Sequence, residues 1–244
     1  MELPRVVFFG RTGEEACRFF NLDLKQWQGK QVLDCASGPG SFTALARDAG
    51  IEVLAVDPLY ALPEEELEWR SREDVAFTIE HLVRSATPRP GFDLDGYRQG
   101  KLSALERFLA DRQLHPESYR AGALPDLGLP DASFDLVISG HLLFSYAPVA
   151  DGGLHEPSSF DLAWHRRALE ELLRVCRGEL RLYPAHTIST PARLHPYVAP
   201  LLADLPPGWS ATLEETSYDQ GFNGEMPMLR IQRQRIGTAS VDGP

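Results

Sequence analysis

Two aspartates that follow apolar runs are the residues of this sequence best suited to hold a ligand. Asp34 follows the run QVL, and a turn with Gly38 and Gly40 comes directly after it. Glycine permits positive φ and close approach of a ligand, and the helix that begins after the turn presents its N–H groups to the same space. Asp57 follows the second run, 17 residues beyond Gly40, where an acidic residue can accept hydrogen bonds from both ribose hydroxyls. The pattern predicts a site for an adenosine-containing ligand.

Two classes of adenosine ligand, and one purely structural role, fit this pattern. A dinucleotide site has a third glycine in its G-x-G-x-x-G motif, whereas this sequence has Thr43 there. Asp34 would also repel a pyrophosphate and attract an ammonium group, which favours a cationic ligand. Alternatively, the glycines only form a tight strand-to-helix turn and Asp57 caps the segment that follows.

The elements that must position these aspartates are a strand, a helix and a second strand. Residues 31–35 are predicted to form a buried strand, Phe42, Leu45 and Ala49 indicate a helix, and residues 51–58 predict another strand. Such units make parallel sheets with right-handed crossovers. Further helices are predicted over 13–20, 168–176 and 190–204, and further strands over 134–139, 179–184, 211–216 and 227–233, the last two antiparallel.

Residues 60–118 are predicted to be a helical insertion, because an α/β unit normally reaches its next strand after a much shorter connection. Two helical faces lie on either side of the breaker run TPRPGFDLDG. One face holds Val75, Ile79, Leu82 and Val83, and the other Leu102, Leu105 and Leu109. The insertion is either a cap over the site or an embellishment that only packs against the sheet.

Composition predicts one cytoplasmic domain over 1–236, with a flexible tail over 237–244. The formal net charge of −11 argues against a nucleic-acid partner, which usually needs concentrated positive charge. No apolar run is long enough for a secretory signal or a membrane span. The three cysteines have neither disulfide nor zinc spacing and no histidine cluster suggests a metal, so we expect reduced thiols and no metal site.

The sequence resembles the class I S-adenosylmethionine-dependent methyltransferases from residue 31 to residue 232. The stretches VLDCASGPG and VLAVDP look like the first and second motifs of that family. The resemblance implies a Rossmann-like α/β fold, with a seven-stranded, mostly parallel sheet, a C-terminal antiparallel strand and helices on both faces. It implies S-adenosylmethionine as cofactor, with Asp34 near the methionine amino group and Asp57 on the ribose.

The resemblance also implies how other residues bind the cofactor. Ala36 stands where the family usually has its first glycine, and Ala123 stands where many members carry an acid for the adenine amino group. Adenine recognition is therefore expected from the backbone of Ala123 and Leu124 and from apolar packing. The remaining residues predicted to bind the cofactor are Ser37, Gly38, Gly40, Pro58, Leu59, Ser139 and Gly140.

Methyl transfer is an in-line displacement, so the enzyme must mainly hold the nucleophile close to the methyl carbon. His141 follows the predicted strand 134–139 and could act as a general base, or it could be structural. Arg11 could bind the carboxylate of the cofactor or of an acidic acceptor, or it could be a surface arginine. Tyr146 and Phe144 could line an acceptor pocket or belong to the core.

The sequence thus favours a methyltransferase that acts on a small molecule of unspecified identity and works without a membrane partner. It leaves the oligomeric state open. One alternative is a binding protein for S-adenosylmethionine that has lost transfer activity and serves as a sensor or partner subunit. Another is an NAD-linked enzyme, which Thr43 and Asp34 disfavour.

Overall fold

The computed structural model describes residues 2–84 and 89–234. The predicted tail over 237–244 lies outside these residues. The strands are β1 Gln31–Cys35, β2 Glu52–Val56, β3 Tyr119–Arg120, β4 Phe134–Gly140, β5 Cys176–Tyr183, β6 Trp209–Glu214 and β7 Met228–Arg233. The helices are α1 Gly13–Phe19, α2 Phe42–Asp48, α3 Glu64–Arg84, α4 Leu94–Leu114, α5 Leu162–Val175 and α6 Val198–Ala203.

These strands form one sheet in the order β3-β2-β1-β4-β5-β7-β6. The pairs among β1 to β5 are parallel, whereas β7 runs antiparallel to both β5 and β6. The order reverses between β1 and β4, and ligands bind at such a switch point in open α/β sheets. The predicted mostly parallel, seven-stranded sheet is confirmed.

Helices cover both faces of the sheet because successive strand residues point to opposite sides. Leu33 and Val137 pack against Leu172 of α5 on one face. Val32 and Ile138 face the other way, in the cluster that contains Phe19 at the end of α1, Phe20 directly after it and Phe42 of α2. The two central strands are therefore apolar on both sides, as buried parallel strands are.

The insertion forms two long helices, α3 and α4, which pack against each other. Leu67 of α3 packs with Leu105 and Phe108 of α4 in a cluster beside β2. The placement of Val83 on the buried face was wrong, because its side chain is 65 % exposed. Val83 follows the buried Leu82 directly, and one residue turns a helix by about 100°.

Two other predictions differ from the structure. The helix predicted over 190–204 begins only at Val198, because Pro191 and Pro196 disfavour helical conformation in the residues before them. Helix α5 begins at Leu162, six residues before the predicted start, and the side chain of Asp161 accepts from the Trp164 N–H at 2.8 Å as its cap. Within the described ranges, no helix is long and apolar enough to cross a membrane.

Candidate functional site

A cavity of about 370 Å³ lies at the carboxyl ends of β1 and β2, and both aspartates line it. The carboxylate of Asp57 accepts from the backbone N–H of Gly38 at 3.1 Å and of Leu59 at 2.9 Å. Asp34 accepts from the Ser37 hydroxyl at 2.8 Å. Each carboxylate oxygen can accept more than one hydrogen bond, so both groups retain capacity for a ligand.

The electrostatics of these two carboxylates favour a ligand with positive charge. Burial raises the pKa of Asp34 to about 7, although the hydrogen bond from Ser37 opposes the rise. Burial likewise raises the pKa of Asp57 to about 6, against its two backbone hydrogen bonds. A nearby cation would favour the ionised forms and lower both pKa values. An ammonium or sulfonium ligand provides such a cation.

The N-terminal segment lies directly against the glycine turn. The Ser41 N–H donates to the Arg11 carbonyl at 3.0 Å, and the Gly13 N–H donates to the Ser41 hydroxyl at 2.9 Å. Gly10 touches the turn so closely that a Cβ atom there would overlap the carbonyl of Pro39. Gly10 and Phe9 line the cavity. Neither residue was predicted from the sequence to line the site.

Most of the residues predicted to form the site lie around this one cavity. Ser139 does not line it, because Ile138 and Gly140 do and successive strand residues point to opposite sides. Phe144 also lies elsewhere, fully buried in the core. The predicted residues that line the cavity are Arg11, Asp34, Ala36, Ser37, Gly38, Gly40, Asp57, Pro58, Leu59, Ala123, Leu124, Gly140 and His141.

His141 and Arg11 are hydrogen-bonded to each other beside the cavity. The Arg11 Nε–H donates to His141 Nε2 at 3.1 Å, so the proton of the neutral imidazole is assigned to Nδ1. Burial, together with the positive charges of Arg11 and Lys101, holds the pKa of His141 well below its ordinary value. The imidazole is therefore neutral at pH 7, and its proton-accepting nitrogen is occupied by Arg11.

A smaller cavity of about 70 Å³ adjoins the first. The two cavities share Val7, Phe9, Arg11, His141 and Tyr146 as lining residues. The insertion contributes to the small one through Thr78 and Leu82 of α3, Phe92 of the joint and Tyr97 of α4, but contributes only Arg70 to the large one. The position of the insertion was predicted from the sequence. Its contacts with the small cavity were not, because they join residues far apart in the chain.

The loop that carries residues 217–224 closes the small cavity from the other side. The Arg89 N–H donates to the Gly221 carbonyl at 2.7 Å, and Arg89 forms an ion pair with Asp219. Phe222 and Gln220 of the loop line the small cavity. The segment between α3 and α4 is thereby connected through Arg89 to the loop before β7.

Comparison with known proteins identifies the fold. No family model matches this sequence. It is 24 % identical over 237 residues to an uncharacterized protein of Methanocaldococcus jannaschii, covering 96 % of this chain and 99 % of that protein. Phosphoethanolamine N-methyltransferase 1 of Haemonchus contortus, solved with phosphoethanolamine and S-adenosylhomocysteine, is similar with a TM-score of 0.52 and 13 % identity over 92 % of this chain. The match spans 43 % of the Haemonchus chain.

A magnesium protoporphyrin IX methyltransferase from Synechocystis, solved with S-adenosylmethionine, is also similar, with a TM-score of 0.45 and 16 % identity over 91 % of this chain and 76 % of that chain. The Haemonchus match and the strand order together show that this chain has the class I S-adenosylmethionine-dependent methyltransferase fold.

Proposed function

We propose that this protein is a methyltransferase that transfers the methyl group of S-adenosylmethionine to a small molecule. One observation carries the proposal: two buried carboxylates, Asp34 of β1 and Asp57 directly after β2, lie at the carboxyl edge of the sheet next to its switch point, in one cavity and beside one glycine turn. Neither carboxylate forms an ion pair with another described residue, although the charge of Arg70 acts on Asp57. A buried carboxylate without an ion pair costs free energy unless a ligand supplies positive charge. S-adenosylmethionine carries both an ammonium and a sulfonium charge.

In this proposal the cofactor lies along the carboxyl edge of β1 and β2. Asp57 accepts hydrogen bonds from the ribose hydroxyls, and Asp34 accepts one from the methionine ammonium group. The adenine lies between Leu59 and the backbone of Ala123 and Leu124, which line the same cavity. The backbone N–H groups of the glycine turn and the apolar N-terminal segment exclude water from the cofactor.

The acceptor is proposed to enter from the side of the smaller cavity, next to His141. Proximity and orientation carry most of the catalysis, because methyl transfer needs no covalent intermediate. His141 is proposed to remove a proton where the acceptor must lose one. It can do so only through Nε2, after Arg11 has released that atom. His141 is already in the neutral form that a base requires.

A small-molecule acceptor in the cytoplasm is the finer part of this proposal. The site is a lined cavity rather than an open surface, and the chain has a formal net charge of −11, which disfavours a nucleic-acid acceptor. Cys17, Cys35 and Cys176 are free thiols, as is usual in a reducing compartment.

Calorimetric titration and a labelling assay test the proposal. S-adenosylhomocysteine should bind and NAD should not. Asp57→Ala should weaken S-adenosylhomocysteine binding at least about tenfold, since hydrogen bonds to a charged acceptor contribute roughly 1.5–3 kcal/mol each. Asp95→Ala, which removes an exposed carboxylate of α4 that lines neither cavity, is the matched control. Equal affinity of the Asp57 variant would remove the ribose assignment.

Transfer itself is measured by incubation with methyl-labelled S-adenosylmethionine and a metabolite extract. Label in a small, protein-free product supports the enzyme. Tight binding of S-adenosylhomocysteine with no labelled product under any extract condition would instead favour a sensor or partner subunit that binds the cofactor without transferring its methyl group.

A further inference from the structure

Arg11 is a cation at the site without a carboxylate partner. Its Nε donates to His141 at 3.1 Å and its Nη1 donates to the Tyr97 hydroxyl at 2.9 Å, both neutral groups. Within residues 2–84 and 89–234 it forms no ion pair, and its Nη2 makes no hydrogen bond. Burial opposes the charge, but Tyr218, Tyr97 and Glu15 keep the pKa of Arg11 above its ordinary value. The guanidinium is therefore charged and has free donors.

The carboxylate that acts on Arg11, that of Glu15, is already hydrogen-bonded to another side chain. Both carboxylate oxygens of Glu15 accept from Lys101 Nζ at 3.1 Å, and the Tyr218 hydroxyl and the Thr12 N–H donate to the same carboxylate. Burial raises the pKa of Glu15, but Lys101 and then Arg11 bring it down to about 2, so this carboxylate is ionised. Burial and the charge of Arg11 hold the pKa of Lys101 well below its ordinary value, although Glu15 opposes this shift. Lys101 thus bonds to both carboxylate oxygens of Glu15, and among the described residues Arg11 makes no hydrogen bond to that carboxylate.

The small cavity beside Arg11 is lined mainly by apolar side chains, and two of its polar groups are hydroxyls that lack partners among the described residues. Aromatic side chains line much of it, among them Phe92 and Phe222. Thr78 and Ser145 also line it, only 4 % and 3 % exposed, and neither hydroxyl oxygen has a hydrogen-bond partner in the described part of the chain. A buried hydroxyl without a partner costs free energy, so these groups indicate a polar ligand.

We propose that the methyl acceptor is a small carboxylate with an apolar body, which Arg11 binds through its carboxylate. The inference rests on the proposed methyltransferase function. Nη1 and Nη2 of Arg11 each retain a free N–H, and such a pair matches a carboxylate geometrically, while the desolvated site strengthens the interaction. The apolar body lies against the aromatic rings of the small cavity, while Thr78 and Ser145 bond to the carboxylate or to a second polar group.

Arg11 is assigned to the acceptor rather than to the cofactor carboxylate because of its neighbours. Tyr97, which fixes Nη1, lines the small cavity and not the large one. Before an acceptor binds, the His141 bond on Nε holds the other edge of the guanidinium at the wall between the two cavities. The free donors thus lie at the boundary where an acceptor must meet the methyl group.

Probe ligands test the assignment in the presence of saturating S-adenosylhomocysteine. Two matched pairs, phenylacetate with phenylacetamide and hexanoate with hexanamide, are titrated by NMR. At least one carboxylate should bind about tenfold or more tightly than its amide to the wild-type protein. Arg11→Gln should abolish that preference, and Tyr97→Phe, which keeps Arg11 but removes one of its acceptors, should reduce it. Arg18→Gln is the charge-matched control, because exposed Arg18 lines neither cavity.

Each protein is first titrated with S-adenosylhomocysteine alone, which reports folding and separates the two proposals. Failure of the wild type to bind it would overturn the proposed function itself. Binding of S-adenosylhomocysteine with no preference for either carboxylate would overturn only the acceptor inference. So would an Arg11→Gln variant that loses tenfold in S-adenosylhomocysteine affinity and keeps the carboxylate preference, since Arg11 would then belong to the cofactor.

Discussion

At the scale of single residues, the raised pKa of Asp34 makes cofactor binding depend on pH. The carboxyl group, with a pKa of about 7 from burial, must lose its proton before it can bind an ammonium group. Below pH 7 that proton is part of the binding equilibrium, so affinity for S-adenosylhomocysteine should fall as pH decreases from 8 to 5.5. The loss approaches tenfold per pH unit for one titrating group.

Calorimetry in buffers of different ionisation enthalpy checks this expectation directly. At pH 6 to 6.5 the wild-type protein should release protons when it binds S-adenosylhomocysteine. Asp34→Asn should bind more weakly at pH 8 and release fewer protons, with the remainder from Asp57, whose pKa is about 6. If Asp34→Asn released as many protons as the wild-type protein, the assignment of Asp34 to the ammonium group would be wrong.

His141 gives a second residue-scale prediction, which concerns turnover. Because Arg11 and burial hold its pKa well below 6.5, the imidazole is neutral throughout the range from pH 6.5 to 9. Because the base is already in its proton-accepting form below pH 6.5, the rate does not rise as the pH increases through 6.5. At saturating cofactor, turnover should therefore show no inflection from His141 in that range, while His141→Ala lowers it by roughly 10²–10⁴.

The control is His115→Ala, which removes a partly exposed histidine that lines neither cavity. An acceptor with an ionising group of its own would shift the wild-type and control profiles together. A His141→Ala protein with full turnover at every pH would leave the reaction to proximity and orientation alone.

The two aspartates could be found from the sequence because each one ends an apolar strand, and the strand ends of a parallel sheet meet at one edge. Tyr97 and Thr78 could not be found in this way. They lie on helices whose apolar positions predict which face is buried, but not which distant residue that face meets. Arg11 and His141 are 130 positions apart and form their contact only because the fold joins β4 to the N-terminal segment.

At the scale of elements, strands were predictable where an apolar run coincided with a turn signal, as in β1 and β2. The two-residue β3 carries no such run and was missed. The segment before α6 was predicted to be helical because Thr190 followed by Pro191 suits a helix start, but it instead forms bridges with neighbouring loops, such as Ala192 with Gly224. The backbone restriction imposed by the two prolines is stronger there than the weak helix propensity of the segment.

The contact between the insertion joint and the 217–224 loop gives an element-scale prediction. Gly221 has φ of 86°, and a Cβ atom there would lie 2.8 Å from the ring of Phe92. Gly221→Ala should therefore weaken the contact as well as strain the backbone. We expect a loss of about 1–3 kcal/mol in the free energy of unfolding, and faster hydrogen exchange in residues 89–97.

Gly208→Ala is a close control for that substitution. Gly208 has φ of 85°, and an added Cβ would meet nothing within 4 Å. Gly208→Ala therefore strains the backbone as Gly221→Ala does, but creates no steric clash. The difference between the two variants in urea unfolding isolates the clash with Phe92. Equal losses, with unchanged exchange in the joint, would mean that the loop and the insertion are not coupled.

At the scale of the whole molecule, three buried histidines make the fold sensitive to acid. Burial lowers the pKa of His165, that of His186 to about 4 and that of His195 to about 3. In the unfolded chain these groups titrate near 6.5, so the unfolded state binds more protons below that pH. The stability that depends on the neutral histidines is complete above pH 6.5 and is lost as pH falls toward 4.

The two site carboxylates change the pH dependence of stability in the opposite direction to the histidines. Their effect depends on whether a cationic ligand is bound. Asp34 and Asp57 have folded-state pKa values of about 7 and 6, above their unfolded values, so the ligand-free fold gains stability as pH falls from 7 to 4. A cationic ligand that keeps both groups ionised removes this gain. Each titrating group contributes up to about 1.4 kcal/mol per pH unit.

Unfolding of the protein should therefore respond to pH more steeply with S-adenosylmethionine bound than without it. Urea denaturation at pH 7.5, 6.5, 5.5 and 4.5 measures the free energy of unfolding in both states. His195→Gln should flatten both curves, because it removes one group that must gain a proton on unfolding, whereas Asp34→Asn should narrow the difference between them. Parallel curves for the free and bound wild-type protein would show that the ligand does not hold the two carboxylates in their ionised form. That result would contradict the proposal that Asp34 and Asp57 bind a cationic ligand.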